Sequence, residues 1–359
     1  MRPQLKNRLL LFAGAMVLGA LVAWVFYVQA FGPIHQGKRM RVWVHQLHAE
    51  NQPQITEAQN VFLSLREAGV PWLARELERG EGSGPTSWIE KALTYFPRRL
   101  RSEWSPELGS APAKARILET IVKLGPAAAS AAPAVATCLY SRNYRLTSMA
   151  GEALGSIGPA AVPVLRPALH STNHQARVNA LNAARLLHTN SAVLLPDILA
   201  AYAIDSNVRP RVALVLSTLS PHADHVLLPL LTTNDVAVAA DAAYALAHSR
   251  VVSSNFVPVL IDSRNHPDIK FRRYVYLALC NAAAGSRPAR HALLDGLEDP
   301  NVTIQLDCIH ALSMFPREAG DNLDKITPFL SLDNSPLQVA ALHVIRAIGT
   351  GAAPARAKV

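Results

Sequence analysis

From residue 125 to residue 349 the chain alternates short apolar runs with polar turns, in phase, at a period of about 33 residues. The second copy shows the pattern most fully. Val162-Pro163-Val164-Leu165 opens one helix, A, with Leu165 and Leu169 four apart on one face. Ser171-Thr172-Asn173 makes a turn, and Ala176 to Leu187 is predicted as a second helix, B, whose Val178, Leu181, Ala184 and Leu187 keep helical spacing. Three markers recur. A proline opens helix A at Pro133, Pro163, Pro196, Pro229, Pro258 and Pro328, with Ala292 in its place in the sixth copy. An asparagine marks each turn: Asn143, Asn173, Asn207, Asn234, Asn265, Asn301 and Asn334. An aliphatic closes helix B at Leu154, Leu186, Leu219, Leu246, Leu279, Leu312 and Ile348. Proline suits the first turn of a helix, where its missing N–H would be unpaired anyway. Asparagine before helix B can cap its free N–H groups or take a left-handed turn conformation. The pattern predicts an all-α solenoid of about seven helical hairpins, each packed on its neighbours.

The segment before the array follows a different pattern. In residues 56–124, Thr56 and Gln59 suggest a capping-box start, followed by an apolar stripe of Val61, Phe62, Leu65 and Ala68. Gly69-Val70-Pro71 turns the chain, and Trp72 to Leu77 begins a second helix, so this part reads as one degenerate repeat. Gly80 to Pro85 reads as a loop and Trp88 to Tyr95 as a helix ended by Pro97. Leu100 to Trp104 suits either helix or extended chain, and Lys114 to Leu124 forms a final helix closed by Gly125-Pro126. Residues 32–55 read as a juxtamembrane linker: Gly32-Pro33 ends the membrane helix expected before it, and Val42, Trp43 and Leu47 form one apolar face of a short helix that Gln52-Pro53-Gln54 is expected to break. All five tryptophans (Trp24, Trp43, Trp72, Trp88 and Trp104) precede residue 105. Core packing in a cap that seals the end of the stack is one explanation, and a tryptophan-lined ligand groove is the other.

Leu9 to Phe31 is a run of 23 residues without a charge, long enough as a helix to cross a hydrocarbon core of roughly 30 Å. Arg2, Lys6 and Arg8 in the flank 1–8 put the N-terminus in the cytoplasm by the positive-inside rule, although Lys38, Arg39 and Arg41 load the other flank too. A signal anchor over 9–31 would hold the remainder outside the cytoplasmic membrane, on its periplasmic or extracellular side. A cleavable signal peptide ending near Val28-Gln29-Ala30 competes with it, and both readings export the array. Residues 350–359 form a small-residue tail, expected to be disordered.

Charge changes this picture little. The net charge of +9 suggests nucleic acid, yet residues 1–124 hold 16 Lys and Arg against 10 Asp and Glu, whereas 125–359 hold 19 against 16. The array is nearly balanced, which argues against a nucleic-acid partner. Cys138, Cys280 and Cys308 show no metal or haem spacing and read as buried, inert thiols.

The stretch from Leu154 to Leu165, with Gly155-Ser156-Ile157-Gly158-Pro159-Ala160-Ala161 at its centre, resembles the junction of HEAT repeats, closest to the bacterial "PBS lyase HEAT-like" kind. Leu124-Gly125-Pro126 repeats the junction and Ala347-Ile348-Gly349 closes the array. The resemblance covers residues 125 to 349. The third, fourth and sixth copies lack the Gly-Pro, and the arginine that usually follows the turn survives as Arg145, Arg177 and Arg211. Gly37-Lys38, Val42-Trp43 and Gln46-Leu47 are similar to the region after the anchor in exported bacterial HEAT-repeat proteins. The family implies a right-handed solenoid that binds partners along the concave face of its B helices, and it does not imply lyase chemistry.

Reactive constellations are few. Pro221-His222-Ala223-Asp224-His225 and the pair His45 and His48 are the tightest histidine clusters, and each lacks a third metal ligand. No GxSxG, HExxH, P-loop or dinucleotide glycine pattern occurs. No catalytic residue, cofactor or metal is assigned. The candidate partner-binding residues are Arg145, Arg177, Arg211, Arg272, Arg273 and Tyr276. The expectation is therefore a membrane-anchored HEAT-repeat scaffold that binds a protein or peptide. The alternative is an accessory or cofactor-handling enzyme subunit related to bilin-lyase-type HEAT proteins.

Overall fold

The computed structural model describes residues 32–49, 51–78, 111–331 and 335–351, whose regular structure is helical apart from one antiparallel ribbon of two-residue strands. The apolar run over 9–31, Trp24, the helix at 88–95, Trp104, Asn334 and the tail from residue 352 lie outside the described residues. The chain divides into two units after Leu186.

In the N-terminal unit, strands β1 (Ile34–His35) and β2 (Lys38–Arg39) form a hairpin that leads into α1 (Met40–Gln46). Trp43 ties the two together: its ring is buried, and its indole N–H donates to the His35 carbonyl at 3.0 Å. Gln52-Pro53-Gln54 does not break the chain but opens α2 (Gln52–Leu65), because proline loses nothing in a first helical turn. Thr56 therefore lies inside the helix, its hydroxyl donating to the Gln52 carbonyl at 3.0 Å, and caps nothing. Helix α3 (Val70–Leu77) follows, with Pro71 in its first turn.

The repeats begin with α4 (Ala111–Leu124), α5 (Ala132–Thr137), α6 (Tyr144–Ile157), α7 (Val162–Leu169) and α8 (His174–Leu186). Helices α4, α6 and α8 lie side by side as a B layer, while α5 packs on α6 and α7 on α8. Residues 111–140 are apolar enough in composition for a membrane span, yet Gly125, at φ 57°, folds them into two elements of the stack. Gly158 ends α6 in the same way at φ 84°. This left-handed joint explains the Gly-Pro junction: glycine reverses the chain without steric cost, and proline starts the next turn. In the third copy His188 takes the glycine's place at φ 49°, a conformation uncommon for a residue with a side chain.

The C-terminal unit continues the scheme with A helices α9 (Leu195–Ile204), α11 (Asp224–Leu231), α13 (Val257–Ser263) and α15 (Arg287–Asp295). Its B helices are α10 (Arg209–Leu219), α12 (Val236–Ala247), α14 (Ile269–Ala282), α16 (Val302–Leu312) and α19 (Ser335–Ile348). Each B helix packs on the next, from α10 through to α19. The last pairing is irregular, with α17 (Pro316–Asp321) and α18 (Leu323–Ile326) before a 3-10 turn at Thr327–Ser331 that contains Pro328. The unit is thus an all-α stack of helical hairpins, which is solenoid architecture.

Of the recurring asparagines within the described residues, Asn207 lies in a 3-10 turn of helix and the others lie in turns before B helices, and three of them cap. The Asn143 side chain accepts from the Leu146 N–H (3.2 Å), Asn173 from Gln175 (2.9 Å) and Ala176 (3.2 Å), and Asn301 from Thr303 (3.0 Å) and Ile304 (3.3 Å). In the copies between, an aspartate caps instead. Asp205 accepts from Asn207, Asp235 from Ala237 and Val238, and Asp268 from Phe271. A carboxylate there also meets the positive end of the helix dipole. The proline marker drifts as well: Pro229 lies inside α11, and Pro288 rather than Ala292 stands in the opening turn of α15.

Candidate functional site

The B helices of the C-terminal unit present one side to the stack and leave the other open. Helix α12 is rich in alanine: Ala239, Ala242, Ala243, Ala245 and Leu246 are buried, while Ala237 is exposed. Larger residues rise on either side, Arg209 and Pro210 from α10, Lys270 and Tyr274 from α14. A small helix between two large ones leaves a groove of about 630 Å³ over Ala237 and Ala240. Tyr244 closes one side, its ring edge-on to Tyr274 at 5.0 Å between centroids and tilted against His248 at 4.1 Å.

The opposite wall is a polar cluster. Tyr202, near the end of α9, donates its hydroxyl to the Asp241 carboxylate at 3.1 Å, and the Arg209 guanidinium lies 4.9 Å from the Tyr202 ring centroid. Burial raises the Asp241 pKa above the usual carboxylate value, against the opposing pull of the Tyr202 hydroxyl and of Arg209. Burial, and then the Asp241 charge, raise the Tyr202 pKa and keep its hydroxyl protonated as a donor. At the groove's edge Val236, the first residue of α12, is 39% exposed, so an apolar position adjoins the charged ones.

The six residues singled out from the sequence are not brought together. Arg177 is buried and donates from Nη1 to the Ser171 carbonyl, closing the turn between α7 and α8. Arg272 holds the corresponding place in α14: Nη1 donates to the His266 carbonyl at 2.7 Å, while Nε and Nη2 grip Asp299 at 2.7 and 3.2 Å. Tyr276 is buried beside Gly296 and Cys308. All three side chains are buried, and of them Arg272 links neighbouring helices through Asp299. Arg273 is paired with Asp307 at 2.9 Å, Arg211 is exposed on α10, and Arg145 lines a separate cleft with Arg116 and Met149. Arg209, Lys270, Asp241 and Tyr244 carried no signal one at a time. The signal lies in register, where the first two positions of successive B helices read Arg209-Pro210, Val236-Ala237 and Ile269-Lys270.

No group of three His, Cys, Asp or Glu positioned to share an ion occurs among the described residues. His222 and His225 are exposed. Cys138 and Cys308 are buried and Cys280 half-buried; burial pushes the Cys280 thiol up to about 12, and it raises Cys308 as well, so neither is a thiolate near neutral pH. His48 has no hydrogen-bond partner at either ring nitrogen among the described residues. Burial, and then the nearby His45, lower its pKa to about 4 from an ordinary 6.5. The unfolded chain therefore binds the proton more tightly, and the stability His48 supports is complete above pH 6.5 and is lost as pH falls toward 4. Between about pH 7.5 and 5 the N-terminal unit is expected to lose ~2 kcal/mol through this group. Thermal melts followed by circular dichroism check this: His48→Leu should flatten the acid dependence, and an unchanged slope sinks the assignment.

No family model matches the chain, and no curated protein does. Solved structures do. An engineered protein is 19% identical over 86% of this chain and 98% of its own, with a TM-score of 0.39. The karyopherin Kap121p, bound to the extreme C-terminus of the protein phosphatase Cdc14p, is 13% identical over 88% of this chain, with a TM-score of 0.41. The chain spans only 38% of that karyopherin's length. A designed armadillo repeat protein in complex with the peptide (KR)4 is 15% identical over 60% of this chain and 98% of its own, with a TM-score of 0.32. At these scores and identities the likenesses assign no function.

Proposed function

We propose that this chain is a membrane-anchored scaffold of HEAT-type repeats that binds a protein or peptide segment on the open side of its B helices, outside the cytoplasmic membrane. The groove over Ala237 and Ala240 carries the reading. It offers aromatic walls, an apolar floor and a few charged positions on pre-ordered helices, where binding costs little ordering. An accessory-enzyme reading needs convergent acid, base or ligand groups. The groove's carboxylates are already engaged, Asp241 by the Tyr202 hydroxyl and Asp268 by the Phe271 N–H. The anchor and the side of the membrane rest on the sequence of residues 2–31, and the HEAT type on the Gly-Pro junctions at Gly125-Pro126 and Gly158-Pro159.

Two measurements test the proposal. Protease added to intact spheroplasts should digest the array, and protection would refute the exported topology. A photo-reactive amino acid at Ala237, introduced into the protein in its native membrane, should crosslink a polypeptide partner that the same probe at His225, exposed on an A helix, does not capture. Equal capture at both positions removes the B-helix face as the binding side.

A further inference from the structure

The fold of the N-terminal unit begins at the first residue after the apolar run. Gly32 follows the run over 9–31 directly, and it is buried. Its carbonyl accepts from Arg39 Nη1 at 3.1 Å, and the Trp72 ring of α3 packs so closely over it that a Cβ there would lie 2.6 Å from the ring. The residues that follow are held as firmly. The Pro33 carbonyl accepts from the Met40 N–H at 3.1 Å, Ile34 pairs with Arg39 and His35 with Lys38, and the His35 carbonyl accepts from Trp43. Helix α1, which carries Trp43, packs in turn on α2 and α3. The outer side of the hairpin is nevertheless open. Pro33, Gln36 and Gly37 are exposed, and Ile34, a large aliphatic on a two-residue strand, is 64% exposed.

We propose that this hairpin, from Pro33 to Lys38, is seated in the lipid headgroup layer with Ile34 against the acyl boundary. The N-terminal unit is then docked on the membrane surface and not held off it by a tether. This rests on the reading of residues 9–31 as a membrane anchor. Chain length carries the argument. An extended chain spans at most ~3.6 Å per residue, so Ile34 lies within about 11 Å of Phe31 whatever path the backbone takes. The headgroup region outside the hydrocarbon core is roughly 5–8 Å deep on each side. With the end of the run at the core boundary, Ile34 and the turn after it therefore fall in that layer or just above it. Isoleucine suits the acyl side, and the exposed Gln36-Gly37 turn suits the headgroups. The contact needs no anionic lipid, because Lys38 is paired with Glu57 at 3.2 Å and Arg39 is bonded to the Gly32 carbonyl.

The test uses the full-length protein in phosphatidylcholine nanodiscs, with a fluorescent amino acid in place of Ala20, inside the run, or of Ile34, whose exposure leaves room for it. Quenching is read from a nitroxide carried at mid acyl chain and from one carried on the headgroup. The mid-chain nitroxide should quench the fluorophore at Ala20, and the headgroup nitroxide should remove at least about half of the emission at Ile34. Inserting about twelve Gly and Ser residues between Phe31 and Gly32 adds a flexible span of about 20 Å. One isoleucine does not hold a folded unit at a bilayer, so the insertion should restore most of the Ile34 emission and leave Ala20 quenched. A bright fluorophore at Ile34 beside a quenched one at Ala20 overturns the docking and leaves the anchor standing. If neither nitroxide reaches Ala20, the anchor falls and the docking falls with it. Unchanged quenching at Ile34 after the insertion overturns the direct junction as the cause of the docking.

Discussion

Replacing Arg272 with alanine is expected to destabilise the C-terminal unit by about 3–5 kcal/mol, the usual cost of breaking a buried, hydrogen-bonded ion pair from one side. The side chains of Arg272 and Asp299 are only 9% and 4% exposed. The substitution would strand the Asp299 charge and leave the His266 carbonyl without its donor. Lysine should rescue little, because a single ammonium cannot reproduce the planar fork that grips Asp299 through two nitrogens while a third reaches His266. Urea unfolding of Arg272→Ala, Arg272→Lys and Asp299→Asn, with the Arg272→Ala/Asp299→Asn double variant, measures the coupling. A loss below about 1 kcal/mol for the alanine variant would mean that the pair is no more than a surface contact. The same experiment separates a structural arginine from a partner-binding one, because Arg211, exposed on α10, should tolerate alanine with a change within ~0.5 kcal/mol.

Trp43→Ala should cost a similar amount, about 3–5 kcal/mol, and it should act on the N-terminal unit. The ring is 1% exposed, its indole N–H is bonded to the His35 carbonyl, and the Lys38 ammonium lies 4.1 Å from the ring centroid. Truncation leaves a large cavity beneath α1 and orphans that carbonyl. Circular-dichroism melts and urea titration of the variant provide the measurement. A tryptophan that lined a ligand groove would give a small stability loss and a large binding loss, so near-wild-type stability would revive that reading for Trp43. Trp72 is less decisive: it is half-buried, with the Arg75 guanidinium 5.0 Å from its ring centroid.

The hairpin scheme was legible because its markers answer to local backbone chemistry. Proline fits an opening turn, asparagine caps the next helix, and glycine supplies the left-handed joint, so these types recur wherever the backbone repeats. Where the markers failed, another residue did the same work. Asp235 and Asp268 cap in place of Asn234 and Asn265, Pro288 opens α15, and His188 makes the turn that Gly125 and Gly158 make elsewhere. The expected break at Gln52-Pro53-Gln54 failed for a related reason, since proline both ends helices and begins them. Composition around it did not distinguish the two.

The candidate site was less legible. Arg272 and Arg273 are adjacent in the chain, yet one is clamped inside the stack and the other lies at its surface, because successive helical residues point about 100° apart. Arg272, Arg273 and Tyr276, singled out together from the sequence, are thus divided by the packing between core and surface. The sequence by itself determined the elements of this protein, their alternation and the apolar run near the N-terminus, since each follows from short-range propensity and periodicity. Only the tertiary structure decided which charges are neutralised within the stack and which, like Arg209 and Lys270, face an open groove. That outcome depends on the carboxylates that neighbouring helices bring within ion-pair distance, and residues some 30 positions apart meet only when the stack has formed.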